Sequence, residues 1–155
     1  MLSISRILVP TDFSEPSDEA LQYAKGLAEK FNASLHVLHV LEDLAAHAWT
    51  TEVYVSALPG VHEEMERQAT ERLGELLSED EKRKYDATLA LRTGSAFVEV
   101  IRHAREEGID LIVMGTHGRG AIAHMLLGSV AERVVRKAPC PVLTVRQKQP
   151  HTSTA

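Results

Sequence analysis

The sequence predicts an α/β fold: a doubly wound, open five-stranded parallel sheet in the order 3-2-1-4-5, with helices on both faces. Two observations predict it. Five short apolar runs alternate strictly with four amphipathic stretches, a pattern that calls for right-handed crossovers and a sheet covered on both sides. The run at residues 111–114 is apolar at every position, as a strand buried on both faces requires, and those at 4–9 and 34–41 are mainly apolar. The order places the reversal between the first and fourth strands, where open sheets of this class bind ligands.

Ile4 to Val9 is the first strand, with Pro10 expected to end it because proline cannot donate to a central ladder. Thr11, Asp12, Phe13 and Ser14 form a polar turn. Ser14 and Pro16 then start a helix with Ala20, Leu21, Ala24, Leu27, Ala28 and Phe31 on one face, and Asn32 is a left-handed stop. Ser34 to Leu41 is the second strand. Its His36 and His39 are three residues apart, point to opposite faces and cannot share a metal, so they read as packed or edge side chains.

The connection from Glu42 to Gly60 is longer than such a loop needs, and the sequence assigns it no role. Val61 to about Tyr85 is read as a single helix with the stripe Val61, Met65, Ala69, Leu73, Leu76 and Leu77 and a solvated charged outer face. Asp86 to Arg92 is a third strand near a sheet edge. Gly94 turns, Ser95 caps a helix carrying Phe97, Val98, Ile101 and Ala104, and Gly108 closes it. Leu111 to Met114 is the fourth strand. Ser129, with Glu132 three residues on, is expected to cap the last helix in a capping box; Pro139 ends that helix, and Val142 to Val145 is the last strand.

The chain of 155 residues is expected to hold one domain, residues 1–147, with residues 148–155 as a polar tail. A net charge of -5 argues against general affinity for nucleic acid or anionic membrane, so any anion site must be local. Cys140 is the only cysteine and excludes an internal disulfide. The amino-terminal residues carry too little apolar sequence for a signal peptide, and no run approaches a membrane span. A soluble cytoplasmic protein is expected.

Function concentrates in the connection after the fourth strand. Gly115, Gly118, Gly120 and Gly128 allow close backbone approach, and a helix follows at once. Polyphosphate oxygens are bound by converging amides and the positive end of a helix. An ordinary glycine-bearing connection fits the same residues, as a turn or capping role fits Asp12. Three nucleotide signatures are excluded. No Gly-x-x-x-x-Gly-Lys-Ser/Thr occurs, the first strand is followed by Pro-Thr-Asp-Phe-Ser and not by a dinucleotide fingerprint, and the third ends on Arg92 and Thr93 where a receiver would hold aspartate. What remains is Gly-x-x-Gly, nine residues, then Gly-Ser, from Gly115 and Gly118 to Gly128 and Ser129.

With that spacing, the chain resembles the ATP-binding branch of the universal stress protein family over nearly its whole length. ILVPTDFS, LHVL, VMGTHGRG, LLGSVAERV and CPVLTV carry the resemblance. It implies that Asp12 bonds the ribose or adenine edge, Val40 meets adenine through its backbone, Gly115 packs under the ribose, and Gly118, Gly128, Ser129 and Val130 donate to phosphates. The implied site also takes in Pro10, Thr11, Met114, His117 and Arg119. It implies ATP as ligand, with Mg²⁺ or Mn²⁺ carried by the nucleotide, and a homodimer through Val142, Leu143, Thr144 and Val145 at the sheet edge. Two functions follow as expectations: a nucleotide-binding regulatory module with absent or very slow hydrolysis, or a slow ATPase or related hydrolase in which His117 and Arg119 assist. No carboxylate in the motif is placed by sequence to activate water.

Overall fold

The computed structural model describes residues 1–42, 60–117 and 127–147. In chain order these form β1 (Arg6–Thr11), α1 (Glu15–Phe31), β2 (Ser34–Glu42), α2 (Val61–Glu75), α3 (Glu79–Lys84), β3 (Thr88–Gly94), α4 (Ala96–Glu106), β4 (Leu111–Gly115), α5 (Ser129–Lys137) and β5 (Val142–Val145). The five strands are all parallel in the order β3-β2-β1-β4-β5, as the alternation predicts.

β1 is central, and Ile7, Leu8 and Val9 are completely buried. Successive side chains point to opposite faces. Ile7 and Val9 enter a core with Ala20, Leu21 and Ala24 of α1 and Leu73 of α2. Leu8 enters a second core with Val100 and Ala104 of α4, Ile112 and Met114 of β4, and Ala131 and Val134 of α5. The sheet is thus covered on both faces. Asp110 fastens the start of β4 to β1: its Oδ2 accepts the N–H groups of Ser5 at 2.8 Å and Arg6 at 3.0 Å, and its own N–H donates to the Arg6 carbonyl.

The signals bounding α1 act as read. Ser14 is the N-cap and accepts from the Ser17 N–H; Asn32 stops the helix in the left-handed region with φ 52°. The backbone at Gly108, with φ 60°, likewise closes the turn after α4.

Five local expectations are corrected. Pro10 lies inside β1, in register with Leu38 of β2. The Ser5 carbonyl accepts from Ser34 ahead of β2 and the Arg6 carbonyl from Asp110 ahead of β4, so alternation turns the Pro10 nitrogen toward β4. The β1–β4 pairing is confined to Ile7 with Leu111 and Leu8 with Ile112, and proline at 10 breaks no ladder bond. The helix read from Val61 to Tyr85 is two helices. Ser78 and Glu81 form a reciprocal capping box, 3.1 Å from Glu81 N–H to Ser78 Oγ and 2.9 Å from Ser78 N–H to Glu81 Oε2, which starts α3 afresh. Ser95 occupies the N-cap of α4, but its side chain makes no capping hydrogen bond. At α5 the N-cap is Gly128 and Ser129 is the first helical residue; Glu132 turns to Arg136 at 3.0 Å. The third strand is also displaced, to Thr88–Gly94, because Asp86 at φ 44° belongs to the turn before it.

Gly115 closes β4 against the first turn of α1. A Cβ at this position would lie 3.1 Å from both Cβ and the carbonyl oxygen of Pro16. Backbone cannot swing aside as a flexible side chain does. Gly115→Ala is therefore expected to destabilise the fold by about 1–3 kcal/mol through overpacking, read as a lower urea midpoint with an unchanged slope.

Candidate functional site at the carboxyl ends of β1 and β4

The turn leaving β1 is held by its own hydroxyls. Thr11 is buried; its Oγ1 accepts the Phe13 N–H at 3.0 Å and lies 3.1 Å from Ser17 Oγ. Ser17 Oγ donates to the Ser14 carbonyl at 2.8 Å. Asp12 Oδ1 accepts both the Ser14 N–H, at 3.0 Å, and the Ser14 hydroxyl. Asp12 thus has the turn role its sequence position allowed, and this fixes its carboxylate, half-buried, at the mouth between β1 and α1.

Phe13 adopts the left-handed conformation, φ 63°, which costs a residue with a side chain roughly 1–2 kcal/mol. Its ring is held by two partners. The His39 imidazole lies against it, centroids 4.3 Å apart, and the Arg72 guanidinium of α2 sits 4.3 Å from its centre. His39 Nδ1 is 2.7 Å from the Thr11 carbonyl, which only accepts, so this nitrogen carries the hydrogen and ties β2 to the turn. His36 faces α4 on the opposite side of the sheet, so the two histidines diverge as their spacing predicts. Burial first, and then the charge of Asp12, raise the Asp18 carboxyl above its ordinary value, with Arg72 opposing. The β1 side of the mouth is therefore acidic.

The β4 side is built differently. Met114 is buried in the second core. Thr116 is buried too: its N–H donates to the Val145 carbonyl at 3.2 Å and its carbonyl accepts the Gly128 N–H at 2.6 Å. Its Oγ1 lies 3.1 Å from His117 Nδ1. The bond to Gly128 draws the start of α5 to the end of β4, with Ala131 and Val134 anchoring the helix from below. Ser129 and Val130, in the first turn of α5, have amides that no intrahelical carbonyl can accept.

Among the residues implied by the sequence, the structure brings Thr11, Asp12, Gly115, Gly128, Ser129 and Val130 to the ends of two adjacent strands. Pro10 is half-buried one residue below the turn, and Val40 is half-buried on β2, in register with Arg92. The Gly128 amide is engaged with Thr116. Gly118 and Arg119 lie outside the described residues, as does Gly120. Sequence reading missed Ser17, Phe13, Arg72 and Thr116 as parts of this end of the molecule, and took His39 only as a packed side chain. Among the described residues no group of three His, Cys, Asp or Glu side chains is placed to hold a metal.

The universal stress protein family model matches residues 3–146. The chain belongs to the universal stress protein family. It is 29% identical over 154 residues to universal stress protein MJ0577 of Methanocaldococcus jannaschii, covering 92% of this chain and 95% of the relative. It is 31% identical over 146 residues to universal stress protein YxiE of Bacillus subtilis, with 92% and 99% covered. Among solved structures, that of MJ0577 superposes with a TM-score of 0.74 at 28% identity, covering 96% of this chain and 100% of the other. A universal stress protein in complex with cAMP superposes with a TM-score of 0.60 at 26% identity, covering 94% and 98%.

In this universal stress protein the Phe13 backbone and the Phe13 ring make opposing contributions, and they can be separated. Phe13→Ala removes the contacts to His39 and Arg72 and keeps the left-handed backbone; Phe13→Gly removes the same contacts and relieves it. Phe13→Gly is expected to be the more stable of the two by about 1 kcal/mol in urea denaturation, the reverse of the usual preference for alanine.

Proposed function

We propose that this universal stress protein binds an adenine nucleotide, ATP, at the mouth between β1 and β4, and acts in the cytoplasm as a homodimeric regulatory module with hydrolysis absent or very slow. The observation that carries the reading is the juxtaposition of Asp12 with the amide-bearing start of α5 at the point where the strand order reverses. The two sides differ in charge and so in what they suit. Carboxylates at Asp12 and Asp18 repel phosphate but accept hydrogen bonds from ribose hydroxyls or the adenine amino group; the amides and helix dipole at Ser129 and Val130 attract phosphate. The nucleotide then lies with its sugar toward β1 and its phosphates toward α5. Pro10, Thr11, Val40, Met114 and Gly115 line the adenosine half, while His117, Gly118, Arg119 and Gly128 belong with the phosphate half. The cAMP complex of a relative supports the ligand class.

A divalent ion, Mg²⁺ or Mn²⁺, enters with the triphosphate, since the described residues offer no protein cage for it. Asp12 is already an acceptor for Ser14, which suits a positioning role better than that of a base. Slow ATP hydrolysis with His117 and Arg119 assisting is the alternative. Turnover faster than about one per minute that is lost in His117→Ala with binding retained would establish it.

Ser129→Pro tests the phosphate half. Proline at the first helical position preserves α5, and the Gly128 backbone at φ -67°, ψ 163° is already what a residue before proline requires. The substitution deletes one amide donor. ATP binding is expected near micromolar in the parent, about -8 kcal/mol, and at least about tenfold weaker in Ser129→Pro with an unchanged melting temperature. Denaturing freshly purified protein and identifying the released nucleotide by chromatography checks the ligand directly; no nucleotide, together with no thermal shift from ATP, ADP or AMP, removes the assignment.

The dimer is assigned to β5, an edge strand whose Val142, Leu143, Thr144 and Val145 are all half-buried. The Pro141 and Val145 carbonyls face β4, so alternation turns the backbone of Val142 and Thr144 outward. Thr144→Pro is expected to yield a folded monomer by sedimentation, because it removes an outward donor and leaves the inward ladder whole.

A further inference from the structure

Two imidazoles are sealed between β2 and α4, near the amino end of β2 and away from the mouth. His36 is 6% exposed and His103 is 3% exposed. His36 Nδ1 lies 3.3 Å from His103 Nε2, and the rings meet edge to face with centroids 5.5 Å apart. His103 Nδ1 is buried with no hydrogen-bond partner among the described residues. Neither ring has a part in the proposed nucleotide site.

Counting hydrogens shows what this arrangement resists. The neutral pair carries two ring hydrogens on four nitrogens. One lies between the rings, and the other sits on an outer nitrogen, either His36 Nε2 or His103 Nδ1. A buried N–H without an acceptor is the rarer and costlier state, so the second hydrogen belongs on His36 Nε2 and His103 donates across the gap. A third hydrogen has only one place to go, His103 Nδ1. Every singly protonated form therefore puts an N–H and a share of positive charge where no acceptor meets it. Protonation is relieved only by opening.

Charges of both signs surround the pair. Arg6 of β1 and Arg92 of β3 oppose protonation; Asp86 before β3 and Glu106 and Glu107 at the end of α4 favour it. The cations of α5, Arg133 and Lys137, lie over Phe97 toward the other end of α4. Burial is the largest influence on both rings and holds both below the ordinary value of 6.5. Elsewhere α4 is held by the buried side chains of Val100, Ile101 and Ala104, and by Glu99 between Arg102 at 2.7 Å and Arg92 at 3.7 Å.

The geometry points to an acid-operated latch: proton uptake by the His36–His103 pair in mild acid releases α4 from β2, uncovering the part of that sheet face which α4 covers while α5 and, on the other face, α1 stay packed. The direction follows from linkage. The open form binds the proton more readily than the closed one, so closure is complete above pH 6.5 and weakens as pH falls below it, by up to about tenfold per pH unit for each proton taken up. The opposite direction would require rings more basic inside than outside.

Hydrogen exchange of the full chain at pH 7.5 and pH 5.5, corrected for intrinsic rates, reads the latch. In the parent, α4 amides are expected to lose protection about tenfold or more relative to α1 at the lower pH, and in His103→Leu the two helices are expected to change together. Ring nitrogen and Cε1–H spectra of the parent give a second reading that needs no variant. They are expected to show both rings neutral at pH 7.5, the hydrogen on His103 Nε2, and titration below 6.5 in step with α4 opening. Rings that titrate at 6.5 without loss of α4 protection, or a His103→Leu protein in which α4 still loosens selectively in acid, would overturn the latch.

Discussion

Asp110 takes two amides of the β1 entrance on one carboxylate oxygen and returns its own amide to the Arg6 carbonyl, joining positions 104 and 105 residues apart in the chain. Closing a loop of that size costs on the order of 4 kcal/mol of chain entropy before any neighbouring contact forms. Hydrogen bonds alone, each worth about 1 kcal/mol net, do not cover it with margin. Ile7, Leu8, Ile112 and Val113 are fully buried once the strands meet, and each contributes roughly 1.5–3 kcal/mol, an upper estimate that still exceeds the closure cost. Burial therefore drives the β1–β4 pairing and the clasp selects its register. Everything at the mouth inherits its position from that register: Asp12 leaves one strand end and Thr116 leaves the other.

The two strand ends are stabilised in different currencies. On the β1 side, side-chain hydroxyls and a carboxylate satisfy a tight turn, and a strained phenylalanine is held by an imidazole and a guanidinium. On the β4 side the backbone does the work, through the paired carbonyl and amide of Thr116 and the amide of Gly128. The result is a polarised opening, negative at one lip and rich in amides at the other. Contacts within the chain thus position Asp12 at one lip and the start of α5 at the other.

Much of this was legible in the sequence, for identifiable reasons. Parallel pairing and a sheet covered on both faces follow from alternation, because each strand–helix–strand unit is a crossover. The ends of α1 follow from Ser14 and Asn32, whose effects are local. The errors arose where a tertiary partner decides. Proline at 10 reads as a terminator only if β1 is paired on both sides along its length, and it is not. Ser129 reads as a cap only if nothing else anchors the helix start, yet Thr116 seizes Gly128 first. The break at Ser78 was written plainly in its Ser-x-x-Glu box and was masked by the apolar stripe running past it. Arg72 over Phe13 and His39 beneath it left no local trace, since three separate elements must converge before that stack exists. Gly118 and Arg119 fall outside the described residues, whereas Gly128, Ser129 and Val130 are placed by the start of α5.

Pro10 has a wider consequence. Beyond Leu8 the next β1 residue turned toward β4 is one that has no hydrogen to offer, so the two central strands cannot zip further toward their carboxyl ends. Most residues at this point would tempt the strands to continue and seal the space between them. An imino acid acts as a permanent doorstop: a limit on strand pairing written into covalent structure, present in the newly folded chain and indifferent to salt or acidity.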